Sequence, residues 1–177
     1  MVSPQADPAP PQRLLGLPPL ICDATVLLVL GSFPSAASLA AQQYYAHPQN
    51  HFWRILQAIW PDSPLDMDTN RYENRSKWLL SKCLGLWDVY GACERAGSLD
   101  TSIRNAELND FASLKQHCPR LRAIAHNGGE SYRHARCTAA LGLPVHKLPS
   151  TSPANASWSF ERKLAAWREV FHQHGLI

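Results

Sequence analysis

Short apolar runs alternate along this chain with segments in which apolar residues recur at helical spacing. Four runs rich in β-branched and other apolar residues predict strands, over residues 25–33, 86–90, 121–129 and 144–150. The first of them, "TVLLVLGSF", lacks the polar alternation of a half-exposed strand, and such a run is typical of a strand buried on both faces.

Helical patterns fill most of the chain around these runs. Six segments predict helices, over residues 34–43, 50–60, 71–86, 107–119, 130–142 and 157–175. Ser35 is a predicted N-cap, and Gly85 and Gly142 are predicted to close the third and fifth helices. Because strands that alternate with helices usually pair in parallel, the sequence predicts an α/β fold, a three-layer α/β/α sandwich with a central four-stranded, mostly parallel sheet.

The length of 177 residues suits one domain with a full core, which we expect to occupy residues 21–177. Residues 1–20 are rich in Pro and lack the basic and apolar segments of a signal peptide, so we expect a disordered tail there. No run approaches the roughly 18 apolar residues of a membrane span, and no membrane contact is expected.

Cysteine usage bears on the compartment. The five cysteines are scattered and odd in number, and none forms a C-x-x-C pair. This pattern favours free thiols in a reducing cytoplasm over a disulfide framework. It also disfavours an iron–sulfur site with four cysteine ligands.

The formal net charge of +3 conceals an asymmetry between the two parts of the chain. Residues 1–110 carry 8 basic and 11 acidic residues, whereas residues 111–177 carry 9 basic and 3 acidic residues. The basic part, with Arg133 and Arg136 close together, suits a surface that faces a polyanion. A solvated helix face explains the same charges equally well.

The segments that follow the predicted strands hold the residues suited to chemistry. In open parallel sheets, ligands bind outside the carboxyl ends of the strands, so four loops should meet there. One of them, "YYAHPQNHFW" at residues 44–53, packs aromatic rings, His and Asn close behind a buried strand. Such a composition favours a pocket for a flat, partly polar ligand.

Four motifs carry a resemblance to a known family: "GSFPS" with "YYAHPQNHFW", then "GLWDVYGACERAGSLDTSIRN", "HNGG" and "LPSTSPAN". In this order they resemble the uracil-DNA glycosylase superfamily over residues 25–172, and in particular its hypoxanthine (deoxyinosine) branch. The resemblance implies a monofunctional DNA glycosylase of base excision repair that flips out a deaminated base, hypoxanthine first and uracil second. It also implies a monomer that needs no cofactor or metal and acts on damaged DNA in the cytoplasm, associated with the nucleoid.

The resemblance assigns three residues to the flipped base. Tyr45 stands where related mismatch glycosylases carry a stacking Phe, and Phe33 lies in the neighbouring loop that faces the base. Asn127 stands where the superfamily uses an amide to read the base edge, since an amide supplies both a donor and an acceptor. Core packing for Tyr45 and a simple Asn-Gly turn at Asn127 are the alternatives.

Phe33 also marks a departure from the family. Uracil-directed mismatch glycosylases place a water-holding Asn at that position, within Gly-x-Asn-Pro-Gly. The resemblance to the hypoxanthine branch moves this catalytic role to Asn50, whose alternative is a helix N-cap. Asp88 is the second candidate, because a carboxylate stabilises a cationic sugar better than an amide, and its alternative is an anchor for neighbouring loops. Asp100 is a weaker candidate than Asp88.

"LPSTSPAN" resembles the superfamily's DNA-insertion loop. We expect Ser150, Thr151 and Ser152 to offer hydroxyl and backbone N–H groups to phosphates, and Pro153 to stiffen the loop. Ala154 and Asn155 are expected to enter the space left by the flipped nucleotide. The alternative is a polar loop that caps the last helix.

Other chemistries receive less support from the sequence. His47 and His51 have the spacing of a zinc pair, but no Glu lies between them and Pro48 interrupts the helix. Lys147 is the lysine nearest the motifs but lies in a predicted strand, so no Schiff-base lyase is expected. A mismatch-specific uracil-DNA glycosylase, or a non-catalytic DNA- or nucleotide-binding module of the same fold, remain the alternative functions.

Overall fold

This computed structural model describes residues 12–66, 68 and 71–177, which form two β-sheets and seven α-helices. In chain order the elements are β1 (Arg13–Leu15), β2 (Leu27–Gly31), α1 (Ala36–Ala41), α2 (Phe52–Ile59), α3 (Tyr72–Ser81), β3 (Leu84–Asp88), β4 (Tyr90–Glu94), β5 (Arg104–Leu108), α4 (Leu114–His117), β6 (Ala123–Asn127), α5 (Gly129–Tyr132), α6 (Ala135–Ala139), β7 (Val145–Leu148) and α7 (Phe160–Gln173).

The larger sheet confirms the predicted parallel architecture. Its four strands lie in the order β3-β2-β6-β7, and every neighbouring pair is parallel. All five residues of the central strand β2 are buried, as its unbroken apolar sequence predicts. The carboxyl ends of the strands, at Gly31, Asp88, Asn127 and Leu148, therefore lie along one edge of the sheet.

Alternate side chains of β2 enter two separate apolar clusters. Leu27 and Val29 pack with helices α2 and α7 in one cluster, whereas Leu28 and Leu30 pack with Phe111 in the other. This alternation follows from the two-residue repeat of a strand, which points successive side chains to opposite faces. The parallel sheet thus forms the middle layer, with apolar residues packed on both of its faces.

A second, antiparallel sheet in the order β1-β4-β5 is a feature that sequence patterns missed. Strand β1 and the buried Leu17 fall inside the segment expected to be a disordered tail, so that expectation is corrected for residues 13–20. Leu20 also pairs with Leu86 through an isolated β-bridge. Residues 1–11, the rest of the predicted tail, lie outside the described residues.

The helix predicted over residues 107–119 is wrong in its first half. Glu107 and Leu108 belong to β5, where they pair with Ala92 and Tyr90 of β4. All residues of β5 are exposed, so the strand carries no apolar alternation that could be recognised in the sequence. Cross-strand pairing therefore overrides the helix propensity of the segment, and only the short helix α4 remains.

Gly85 does not close a helix, contrary to prediction. Helix α3 ends at Ser81, and Cys83 takes the left-handed backbone conformation with φ +57°. Gly85 lies within β3, where a Cβ atom would approach the methyl carbons of Ile21 and Thr25 to 2.9 Å. The glycine is needed for close packing of the sheet rather than for a helix end.

Two further predicted elements are each divided in the structure. The strand predicted over 86–90 spans the end of β3 and the start of β4, so the chain changes sheet at Val89. The helix predicted over 130–142 is replaced by α5 and α6, with a break at Arg133 and His134. It still ends near Gly142, whose φ of +71° suits glycine.

Gly85→Ala should destabilise the fold, because the added methyl group must displace Ile21 and Thr25 from the sheet. Overpacking of this kind costs about 1–3 kcal/mol. Urea unfolding measures the difference in the free energy of unfolding between the variant and the parent.

Gly129→Ala is the matched control, because no atom lies within 4 Å of the Cβ that it adds. Helix α5 accepts alanine, so this variant should keep the parent's stability. Equal stability of the two variants would contradict the packing argument at Gly85.

Candidate active site

A cavity of about 790 Å³ opens at the edge of the parallel sheet where its strands end. It is lined by the loops that follow β2, β4, β6 and β7 and by Asp88 at the end of β3. Of the site residues predicted from sequence, all except Pro153 line it: Phe33, Tyr45, Asn50, Asp88, Asn127, Ser150, Thr151, Ser152, Ala154 and Asn155. The four motifs therefore converge on one cavity.

The aromatic segment after α1 divides its rings between the core and this cavity. Tyr44, Phe52 and Trp53 are buried, and the indole Nε1 of Trp53 donates to the Tyr44 carbonyl at 3.1 Å. Tyr45 turns the other way because its backbone is left-handed, with φ +53°. Its ring stacks on Phe52 with centroids 4.1 Å apart and planes 23° apart. One face of Tyr45 is thus fixed by the core, and the side chain still lines the cavity.

Asn127 holds the loops around the cavity together through its amide. Its Oδ1 accepts the backbone N–H of Thr151 at 3.0 Å, and its Nδ2 donates to the Thr151 hydroxyl at 2.9 Å and the Tyr45 hydroxyl at 3.1 Å. A backbone N–H can only meet an acceptor, so the orientation of the amide is fixed. Both N–H groups of Nδ2 are then occupied, and Oδ1 keeps one free lone pair.

Asn50 stands immediately before α2. Its Oδ1 accepts the Phe52 N–H at 2.9 Å, so the side chain caps the helix start, whereas the next residue, His51, makes no side-chain cap bond. The capping alternative considered for Asn50 is therefore present in the structure. Its second Oδ1 lone pair and its Nδ2 make no hydrogen bond within the described residues, and the side chain lines the cavity.

Asp88 is a buried carboxylate at the end of β3, with 4% of its surface exposed. Its Oδ2 has no hydrogen-bond partner within the described residues. Burial, reinforced by the neighbouring negative charge of Asp100, raises the pKa of Asp88 to about 7. A Cβ atom on Gly31 would stand 2.4 Å from Asp88 Oδ1, so the glycine makes room for the carboxylate.

Phe33 and Arg95 lie beside this carboxylate. The Arg95 guanidinium packs over the Phe33 ring at 5.0 Å and donates through Nη2 to the Pro34 carbonyl. Its positive charge acts against the rise in the pKa of Asp88, although burial prevails. Phe33 is buried and lines the cavity. An apolar ring thus occupies the position at which an amide was the alternative.

The loop between β7 and α7 is held from several sides. Thr151 is fully buried, and its carbonyl accepts the His51 N–H at 2.9 Å. The buried Lys163 of α7 donates to the Ser152 carbonyl at 3.4 Å, and Trp167 donates to the Pro149 carbonyl at 3.2 Å. Within the loop, hydroxyls of Ser150 and Ser152 accept backbone N–H groups two residues on, a pattern that stiffens turns. The anchoring role of Thr151 was not foreseen, since the motif predicted phosphate contacts for all three hydroxyls.

Sequence reasoning also missed part of the cavity wall. Residues 98–101 line it, and Asp100 Oδ1 accepts the Ser32 hydroxyl at 2.6 Å. Lys147 lines it as well, although its place in a strand had been used to set it aside. Strand alternation could have found Lys147, because a residue next to the end of a strand can still face the loops.

Two negative findings concern the described residues. No group of three or more His, Cys, Asp or Glu side chains there could hold a metal ion. No helix of that part of the chain is long and apolar enough to cross a membrane. All five cysteines are free thiols.

Comparison with known proteins gives consistent matches. Residues 18–171 match the family model described as the uracil DNA glycosylase superfamily. Proteins named hypoxanthine DNA glycosylase from Methanosarcina barkeri and from Methanosarcina acetivorans are each 38% identical over 156 residues, which cover 88% of this chain and 96% of theirs.

A solved structure is also similar over nearly the whole chain. It is a solution NMR structure from Methanosarcina acetivorans, described as a candidate uracil DNA glycosylase. Its TM-score is 0.79 at 35% sequence identity, and the match covers 93% of this chain and 99% of that one.

The buried Asp88 should make stability depend on pH. In the folded protein its pKa is about 7, whereas in the unfolded chain an Asp loses its proton near pH 4. The favourable contribution of Asp88 is therefore complete below about pH 4 and is lost as pH rises through about 7. Relative to Asp88→Asn, the parent should lose on the order of a few kcal/mol of unfolding free energy across this window, as measured by urea unfolding at pH 5 and pH 8. A stability difference that is the same at both pH values would contradict the assignment.

Proposed function

The chain belongs to the uracil DNA glycosylase superfamily, and from this premise we propose that it is a monofunctional DNA glycosylase that removes hypoxanthine from DNA. The observation that carries the proposal is the cavity in which a fixed aromatic ring, two amides and a buried carboxylate meet. The name of the two Methanosarcina relatives supports hypoxanthine as the first substrate.

A flipped base can stack on the free side of Tyr45. The other side already rests on Phe52, so the base would extend an existing stack of two rings. Base–aromatic stacking contributes about 1–3 kcal/mol per base. Because Phe52 is fully buried, the Tyr45 platform is positioned before the base arrives, and little ordering is required on binding.

Asn127 supports recognition of the base edge through the acceptor that it keeps. The free lone pair of its Oδ1 can accept the ring N–H of hypoxanthine, which lies next to a carbonyl. Adenine has an acceptor nitrogen at the same ring position, so two lone pairs would face each other. Uracil shares the N–H of hypoxanthine, and this amide alone does not separate those two bases.

Hydrolysis requires a positioned water and stabilisation of a cationic sugar. Asn50 can hold the water through its remaining Oδ1 lone pair, because the cap bond to Phe52 N–H fixes the direction of the side chain. Asp88, when ionised, places negative charge below the cavity. The two groups therefore have separate functions in this proposal: Asn50 orients the nucleophile, and Asp88 supplies charge.

The insertion loop supports contact with the DNA backbone. The hydroxyls of Ser150 and Ser152 lie on a loop that α7 already holds in place, so little conformational entropy is lost on binding. Thr151 contributes by fixing the loop to Asn127. The stiffening of Pro153 and the entry of Ala154 and Asn155 into the duplex belong to the same proposal.

The decisive experiment measures base release from duplexes that carry a single hypoxanthine, uracil or xanthine. Strand cleavage should require alkali after the reaction, since a monofunctional enzyme leaves an intact abasic strand. Release of hypoxanthine is the expected result. No release of any base would overturn the proposal, and trapping of the protein on DNA by borohydride would replace it with a lyase acting through a lysine such as Lys147.

Asn50→Ala should lower single-turnover excision of hypoxanthine by about 10²–10³, the usual cost of removing one pre-organised polar group. As a cap alone, the same change would cost about 1 kcal/mol of stability and leave the excision rate of the folded enzyme near normal. Asn50→Asp is the matched variant, because Asp caps equally well: its stability should return while its rate still differs from the parent's.

A parent-like rate for Asn50→Ala would contradict the assignment and transfer the nucleophile to Asp88. In that case the single-turnover rate of the parent should rise as pH passes through about 7, where the Asp88 carboxyl ionises. The Asp88→Asn enzyme should lack this rise.

Replacement of Tyr45 tests the stacking platform. Tyr45→Phe keeps the flat face on Phe52 and should retain most single-turnover excision, although one Asn127 N–H loses its acceptor. Tyr45→Leu keeps apolar volume without an aromatic face and should lose about 10- to 100-fold, in line with 1–3 kcal/mol of stacking. Equal losses in the two variants would identify the hydroxyl, rather than the ring, as the essential group. Thermal unfolding of both variants checks that they are folded at the assay temperature.

A further inference from the structure

Leu99 is an exposed apolar side chain at the mouth of the cavity. It keeps 58% of its surface exposed and lines the cavity with its neighbours in the loop between β4 and β5. Among the described residues that line the cavity, it is the one large apolar side chain exposed to this degree. Large exposed apolar groups at a binding site usually mark a surface that a partner covers.

Anchors on both sides hold Leu99 in place. The Ser98 hydroxyl accepts the Ala36 N–H at 2.9 Å, which ties the loop to the start of α1. The Asp100 carboxylate accepts the Ser32 hydroxyl at 2.6 Å, which ties it to the loop after β2. The Leu99 carbonyl accepts the Ser102 N–H at 3.0 Å. The side chain is therefore presented from a short turn with fixed ends.

The insertion loop on the same cavity has no comparable group. Between Ser150 and Asn155 its apolar side chains are those of Pro153 and Ala154. Phe33 and Leu148, two other apolar residues of the cavity wall, are buried. Trp158 is partly covered by the guanidinium of Arg162, which lies 4.3 Å from its ring centroid. The cavity thus offers one exposed aliphatic side chain to bound DNA, and it comes from the loop after β4.

We propose that Leu99 is a wedge that enters the DNA stack beside the flipped nucleotide and fills part of the space that the base leaves. This inference rests on the proposed glycosylase function. Extrusion of a base breaks its stacking, and proteins that unstack DNA commonly insert an apolar side chain at the opened step. Ala154 and Asn155 cannot provide such a contact, because one is short and the other is polar. Leu99 therefore stabilises the extruded state, and its effect belongs to duplex DNA.

The test compares duplex and single-stranded DNA that carry the same hypoxanthine. The single strand has no opposing strand or intact stack, so a wedge has little to replace there. In Leu99→Ala the ratio of the duplex rate to the single-strand rate, each from single turnovers, should fall by about 10- to 100-fold, the loss expected for one buried Leu side chain. Leu99→Met keeps an aliphatic side chain of similar length and should restore the ratio, whereas the polar Leu99→Gln should not.

Leu15→Ala and Leu108→Ala are the matched controls. Both positions are exposed leucines, at 71% and 45%, but they lie on β1 and β5 and do not line the cavity. Each control removes the same atoms as Leu99→Ala and should keep the parent's ratio. A fall of similar size in the controls would mean that loss of any exposed leucine impairs the enzyme, and the wedge would be rejected.

A second readout follows base extrusion directly. With 2-aminopurine next to the hypoxanthine, the parent should raise the fluorescence on binding, and Leu99→Ala should give a smaller rise at saturating enzyme. An unchanged ratio together with an unchanged fluorescence rise would overturn the wedge. Absence of excision by the parent on both substrates would instead reject the proposed function, while a reduced fluorescence rise in Leu99→Ala would still support the wedge.

Discussion

The Asn127 amide is the connection on which the candidate site depends. Three hydrogen bonds join it to Tyr45 and Thr151, and the Thr151 carbonyl in turn accepts the N–H of His51 at the start of α2. Strand β6, the aromatic segment and the insertion loop are thereby tied at one point. These bonds are buried, where hydrogen bonds are stronger and unmet groups cost more than in water. The positions of the stacking ring and of the DNA-facing loop are therefore set together.

The arrangement has a cost at Asp88, and the backbone of β2 accommodates it. A carboxylate that ends a buried parallel strand has few donors near it, and its Oδ2 finds none within the described residues. Gly31, its register partner on β2, leaves the space that Asp88 Oδ1 occupies. Burial of an unpaired carboxyl costs stability once it ionises, and such strain is found mostly at functional sites. The folding cost at Asp88 thus has its reason in the site rather than in the sheet.

The sequence could predict what apolar pattern and strand order determine. Strand β2 is buried on both faces and carries an unbroken apolar run, so its place in a parallel sheet followed directly, and with it the meeting of four loops. Strand β5 could not be predicted, because its residues are all exposed and its partner β4 is fixed only by the fold. Thr151 shows the same limit within the site: a hydroxyl between two serines gives no sign that it alone is buried.

Phe33 connects the unusual motif to the charge of the site. An amide at this position could offer a hydrogen bond to a carboxylate or to water, whereas a phenyl ring offers none. The ring instead gives Arg95 a face on which to pack, which leaves Nε and Nη1 of that buried guanidinium without partners in the described part of the chain. Arg95 acts on Asp88 from a distance, without an ion pair that would keep the carboxyl ionised at low pH. Replacement of an amide by Phe33 therefore has two linked results: the water-holding group is lost from this loop, and a carboxyl with its pKa near 7 is retained below the cavity.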